Sequence, residues 1–279
     1  MKTRSFYLQW AALPLVALFW GLLSPASSAE TASYTLEVSG KQLGDLTVTT
    51  VSRPDGSRSV SQRMSLKASG FWGTLDIDNR LEETISSNGI LLKASNRLRD
   101  NNKIYWTRID LLEEEYLAFR AQMKNGEEKD LEELGNLAKG AVSVLVPGAG
   151  DVLEIANVVL DDEKSQPRHD RFTRTTFDTS LMGLPLFWQR NGKSFPARLT
   201  ILDTQEMSIS TVRVEKLGPA RPTISGNTEF QTHRYRLKPK SGHATDVTLF
   251  ISQSGTPQFA MVSGKQDGDS YTIKLVDID

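Results

Sequence analysis

Cysteine is missing from all 279 residues. Its absence excludes a disulfide scaffold, a thiol nucleophile, a zinc-thiolate centre and an acylated cysteine behind a leader. Histidine is nearly as scarce. His169, His233 and His243 lie apart in turn-rich polar segments with no partner at i, i+4, so a helical zinc site is excluded by spacing and they read as solvated loop residues. Charge of one sign is lacking too: 33 basic residues stand against 34 acidic ones, for a net charge of −1. No global field therefore draws in nucleic acid or an anionic membrane surface. A G-x-S-x-G nucleophile elbow is absent. Gly148-Ala-Gly150-Asp151 is only superficially like a dinucleotide loop, because the third glycine is missing and Asp151 would repel a pyrophosphate. Composition and motifs thus imply no catalytic set, no metal and no cofactor.

What is present begins with an export signal. Lys2 and Arg4 form a basic start, and Trp10–Leu23 is an apolar stretch long enough for a signal core but short for a bilayer span. Pro25 ends it, and Ser27-Ser28-Ala29 supplies the small residues that a signal peptidase reads, so residues 1–29 are expected to be removed and Glu30 to begin the mature protein. No later apolar run is long enough for a stable membrane span. An exported chain without cysteine fits a diderm periplasm better than the outside of an animal cell.

Residues 30–279 then read as one mainly β domain. Strands are expected at Tyr34–Val38, Leu46–Val51, Val60–Ala68, Leu75–Leu81, Ile90–Leu98 and Ile104–Leu111, separated by turn signals such as Pro54-Asp55-Gly56 and Asn88-Gly89. The clearest alternation sets Val60, Gln62, Met64, Leu66 and Ala68 against Ser59, Ser61, Arg63, Ser65 and Lys67, an antiparallel strand with one wet face. From about 127 to 160 the apolar spacing becomes helical, with a break at Pro147-Gly148, which predicts an inserted α-helical hairpin followed by a polar linker over 161–170. Strands resume at Arg171–Phe177, Ser194–Leu202, Met207–Leu217, Phe230–Leu237, Asp246–Ser252, Gln258–Ser263 and Tyr271–Val276, the last three as a meander.

Several stretches carry a family resemblance: Tyr34-Thr-Leu-Glu-Val-Ser-Gly40 with Leu43-Gly44, then Phe177-Asp178-Thr179-Ser180-Leu181 with Leu184-Pro185, and finally Leu249 to Pro257 before Tyr271-Thr-Ile-Lys-Leu275. With these the chain resembles the uncharacterised periplasmic domain-of-unknown-function families of Gram-negative bacteria. The resemblance covers most of residues 30–279 and implies a curved antiparallel sheet or half-barrel of the kind found in periplasmic lipoprotein carriers. It brings no catalytic residues with it.

The candidate ligand site rests on aromatics. Phe71-Trp72, Tyr105-Trp106 and Phe187-Trp188 each occur at a strand or strand edge, where neighbouring residues face opposite ways, so each pair sends one ring inward. Trp72, Trp106 and Trp188, together with Val142, Leu145 and Ile155 of the helical insertion, are expected to line an apolar cleft between sheet and helices. The expected function is a non-enzymatic envelope protein that binds a lipid or another apolar or amphipathic ligand. Two alternatives stay open: a scaffold protein of envelope assembly with a filled core and an envelope-protein partner, and an enzyme acting on polysaccharide through acids such as Glu82-Glu83.

Overall fold

The computed structural model describes residues 28–70, 73–100, 103–124, 168–221, 232–240, 245–251, 256–266 and 269–279. The expected helical hairpin at 127–160, with Val142, Leu145 and Ile155, lies outside the described residues, as do Trp72, His243, the leader up to residue 27 and most of the linker.

Fifteen strands form one sheet: β1 Ala29–Val38, β2 Lys41–Ser52, β3 Arg58–Gly70, β4 Gly73–Ile85, β5 Leu91–Asp100, β6 Lys103–Leu112, β7 Glu115–Lys124, β8 Arg168–Thr173, β9 Thr179–Ser180, β10 Arg198–Asp203, β11 Ser208–Ala220, β12 Thr232–Pro239, β13 Thr245–Ile251, β14 Pro257–Gln266 and β15 Asp269–Ile278. One helix, α1 Leu184–Arg190, occurs among the described residues.

The strand order is β8-β7-β6-β5-β4-β3-β2-β1-β15-β14-β13-β12-β11-β10-β9. Nearly every strand pairs antiparallel with its sequence neighbour, and β1 pairs antiparallel with β15. Among the described residues the one parallel pair is β9 with β10. The two edges, β8 and β9, are consecutive in sequence, so the short connection 174–178 bridges the open side of the curve. Backbone bonds carry the chain across this seam: Asp178 N–H donates to Thr200 O at 2.8 Å, and Leu181 N–H donates to Leu202 O at 3.1 Å. The mainly β curved sheet follows the strand pattern of the sequence, and the facing read for Val60–Ala68 holds: Val60 and Leu66 are buried while Arg63, Ser65 and Lys67 are exposed.

Inside the curve the core has two principal parts. Val60, Ile85, Ile109 and Tyr116 pack with Leu186 of α1 and with Leu202 and Met207. Leu184 and Trp188, on the other side of α1, pack with Leu199, Tyr235, Val247 and Leu249. The helix therefore fills the concave face and divides it. Its seven residues carry Pro185 in the first turn, where the missing N–H costs nothing. Gly183 precedes it because a Cβ there would press on the Ser180 and Thr179 hydroxyls. Phe187-Trp188, read from sequence as a strand pair, sits on this helix instead. Tertiary burial of Leu184, Leu186 and Trp188 overrides the β propensity of the aromatics.

Candidate functional site

Of the three tryptophans expected to line the cleft, Trp106 and Trp188 are among the described residues. Trp188 is fully buried on α1, where its indole N–H donates to the Tyr235 hydroxyl at 2.9 Å and its ring lies 5.3 Å from that of His233. Trp106 is half-buried on the strand face opposite Thr107 and Ile109, edge-on to Phe119 at 5.5 Å. Phe119 in turn meets the ring of His169 at 4.9 Å. Neither Trp106 nor Trp188 lines either of the two cavities described below. Two histidines expected in loops are on strands, β8 and β12, each against an aromatic ring. Burial lowers the pKa of both, and Lys216 and Lys193 add to the effect at His233.

Two neighbouring features stand out at the seam. The first is Glu83 of β4, 1% exposed and pointing into the barrel, whereas Glu82 points outward. One carboxylate oxygen accepts the Ser180 hydroxyl of β9, and the other accepts the Thr204 hydroxyl of the β10–β11 turn at 2.9 Å. Ser180 Oγ also accepts the Gly183 N–H at 3.0 Å. One acid thus ties β4 to β9, to the start of α1 and to the β10–β11 turn. Burial pushes its pKa up to about 7, the two hydroxyl bonds oppose that rise, and the nearby Asp203 carboxylate adds to it. Asp203 is itself raised by burial, with the N–H groups of Gln205 and Glu206 on its Oδ1 at 2.9 and 3.1 Å. Thr107 Oγ1 donates to Gln205 O at 3.0 Å, and Arg120 pairs with Glu206. The sequence offers Glu83 only as one of a run of acids with Glu82, although Leu81, Glu83 and Ile85 share the buried parity of a strand.

The second feature is a cleft of about 330 Å³ at the mouth of the same seam. Its walls are the β4–β5 turn, the 174–178 connection and the end of α1. Leu91, Tyr116 and Phe177 form an apolar base; the Tyr116 ring is tilted against Phe177 at 5.0 Å and its hydroxyl donates to Leu91 O at 2.8 Å. Burial pushes the Tyr116 phenol up to about 12, so it stays protonated. Phe187 stands to one side, and Arg174 and Arg190 sit at the rim. A smaller void of about 30 Å³, the size of one water, lies between α1 and strands β1 to β3. Among the described residues no group of three or more potential metal ligands occurs.

No protein-family model matches the chain, and no curated protein matches it. Among solved structures, it is similar to a beta-barrel-like protein of domain of unknown function DUF1849 from Brucella abortus, with a TM-score of 0.55 and 10% identity over 90% of this chain and 97% of that one. The fold is beta-barrel-like. At this identity the likeness speaks for the fold alone. In keeping with it, no helix among the described residues is long and apolar enough to cross a membrane.

Proposed function

We propose that this protein is an exported, non-enzymatic component of the bacterial envelope that binds an apolar or amphipathic molecule between its curved sheet and a helical cover. The observation that carries the reading is the cleft of about 330 Å³, floored by Tyr116 and Phe177 from the sheet side and flanked by Phe187 of α1. Its size falls within the range of small-molecule pockets, and its apolar base with a few polar groups at the rim matches their usual make-up. Among the described residues the helix that flanks the cleft is α1. Export to the periplasm rests on Lys2, Arg4, the apolar run Trp10–Leu23 and the small residues before Glu30. The half-barrel of periplasmic lipoprotein carriers is the comparable shape.

A catalytic use of Glu83 is disfavoured by its place: neither cavity is lined by it, and both of its oxygens are occupied by Ser180 and Thr204. One observation favours the scaffold alternative. Leu184, Leu186 and Trp188 of α1 are buried against the strands, as a filled-core interaction protein requires. Binding of an apolar fluorescent dye separates the two readings. Dye fluorescence should rise with wild-type protein and not with Phe187→Asp, and protein extracted from periplasm should carry an apolar molecule in native mass spectra. No dye binding and a bare mass would leave the scaffold reading.

A further inference from the structure

The rim of the cleft carries positive charge that the protein does not fully neutralise. Arg190, the last residue of α1, lies over Gly89, whose φ of +87° and lack of a Cβ make room for the guanidinium; a Cβ there would collide with Nη1. Its Nη2 donates to Ser86 O at 3.0 Å, a neutral acceptor. Arg58 adds a second cation to its surroundings, and Arg58 Nη1 is buried without a hydrogen-bonding partner. Burial and the neighbouring Arg58 both lower the Arg190 pKa, and Glu30 is the anion that acts on Arg58. Arg174, across the cleft, meets Glu114 at 3.5 Å, but Glu114 is 79% exposed, so this pair is a weak surface contact. The acid in the lining, Asp178, is engaged elsewhere: its Oδ2 accepts the Thr200 N–H at 2.7 Å.

Resting on the binding function proposed above, we infer that the cleft takes a single-chain anionic amphiphile. Its carboxylate or phosphate is held between Arg190 and Arg174, and its apolar body lies against Phe187 and Ile90, above the buried Tyr116 and Phe177. Guanidinium forks suit planar or tetrahedral oxyanions. The volume stands at the small end of ligand pockets, which suits one chain rather than a two-chain lipid.

Isothermal titration of the full mature protein with dodecanoate, dodecyl phosphate, dodecanol and inorganic phosphate tests this. Both anionic amphiphiles should bind at least tenfold tighter than dodecanol, and inorganic phosphate should bind far more weakly than either. Arg190→Gln and Arg174→Gln should each bring dodecanoate down toward the affinity of dodecanol without changing that of dodecanol. Melting curves check that both variants fold; should Arg190→Gln unfold, Arg174→Gln alone decides. Equal affinity for dodecanoate and dodecanol would overturn the anion assignment while leaving an apolar site. Inorganic phosphate binding as tightly as dodecyl phosphate would overturn the amphiphile assignment. Binding of none would remove the cleft function itself.

Discussion

The two sides of the barrel interior are held by different physics. On the side of β10 to β13, Trp188, Leu199, Tyr235, Val247 and Leu249 form an apolar block in which the indole N–H has its partner in the Tyr235 hydroxyl. On the side of β4 to β7, polar residues share the inner face with apolar ones: Glu83, Thr107 and Arg120 reach across to β9 and the β10–β11 turn. Asn79 and Asn96 are buried there with amides that have no protein partner. Apolar burial is non-directional and stabilises by area, whereas hydrogen bonds to a buried carboxylate are directional and position the edge that β9 presents. A sheet whose last edge is a two-residue strand closes by such side-chain bonds because it has almost no ladder to close with. The cleft opens beside this closure, where packing is least continuous.

The largest test of the contrast is Trp188→Ala, which should lower unfolding free energy by about 3–5 kcal/mol in urea titrations, because a fully buried aromatic is lost from both its packing and its hydrogen bond. A loss under about 1 kcal/mol would show that the apolar side is not the anchor.

Next comes Glu83→Gln, read as a function of pH. The folded pKa of about 7 lies above the ordinary value of 4.5, so in that interval the folded state binds a proton that the unfolded state does not. The contribution of Glu83 is therefore fully present below about pH 4.5 and is lost as pH rises to about 7, amounting to about 3 kcal/mol by proton linkage. Glutamine cannot titrate. The difference in stability between variant and wild type should move in favour of the variant by about that amount from pH 4.5 to pH 8, and a difference independent of pH would contradict the placement of Glu83.

Thr204→Val sharpens the same point with a smaller effect. Loss of the hydroxyl donor should cost about 1–2 kcal/mol at pH 8 and, since that bond favours the carboxylate, raise the Glu83 pKa further, extending the falling limb to higher pH. Smaller still, Gly89→Ala should cost about 1 kcal/mol from its positive φ. It should also weaken dodecanoate binding by displacing Arg190, whereas unchanged binding would argue against the glycine's spacing role.

How much of this was readable in the chain depends on ladder length and on which faces are wet. Long strands with one solvated face, such as β3 with Val60 and Leu66 inward and Arg63 and Ser65 outward, were legible because alternation reports burial directly. Strand β7 was missed: Leu117 and Phe119 are half-buried on its outer face while Tyr116 and Ala118 are buried within, which blurs the alternation. Strand β9 is too short to carry a period, and α1 too short to show a helical stripe, although Leu184 and Trp188 stand at i, i+4 behind Gly183. The cleft was illegible for a further reason. Its walls come from segments near residues 89, 116, 177 and 190, which only the closing order of the sheet brings together.

Hydrogen exchange with and without dodecanoate tests most directly whether a ligand enters at the hydrogen-bonded seam rather than at the apolar side. The account predicts added protection in peptides covering 86–91, 174–181 and 187–191, with 235–249 unchanged, because a ligand held by the cleft suppresses local opening only where it makes contact. Protection gained at 235–249, or nowhere, would contradict it.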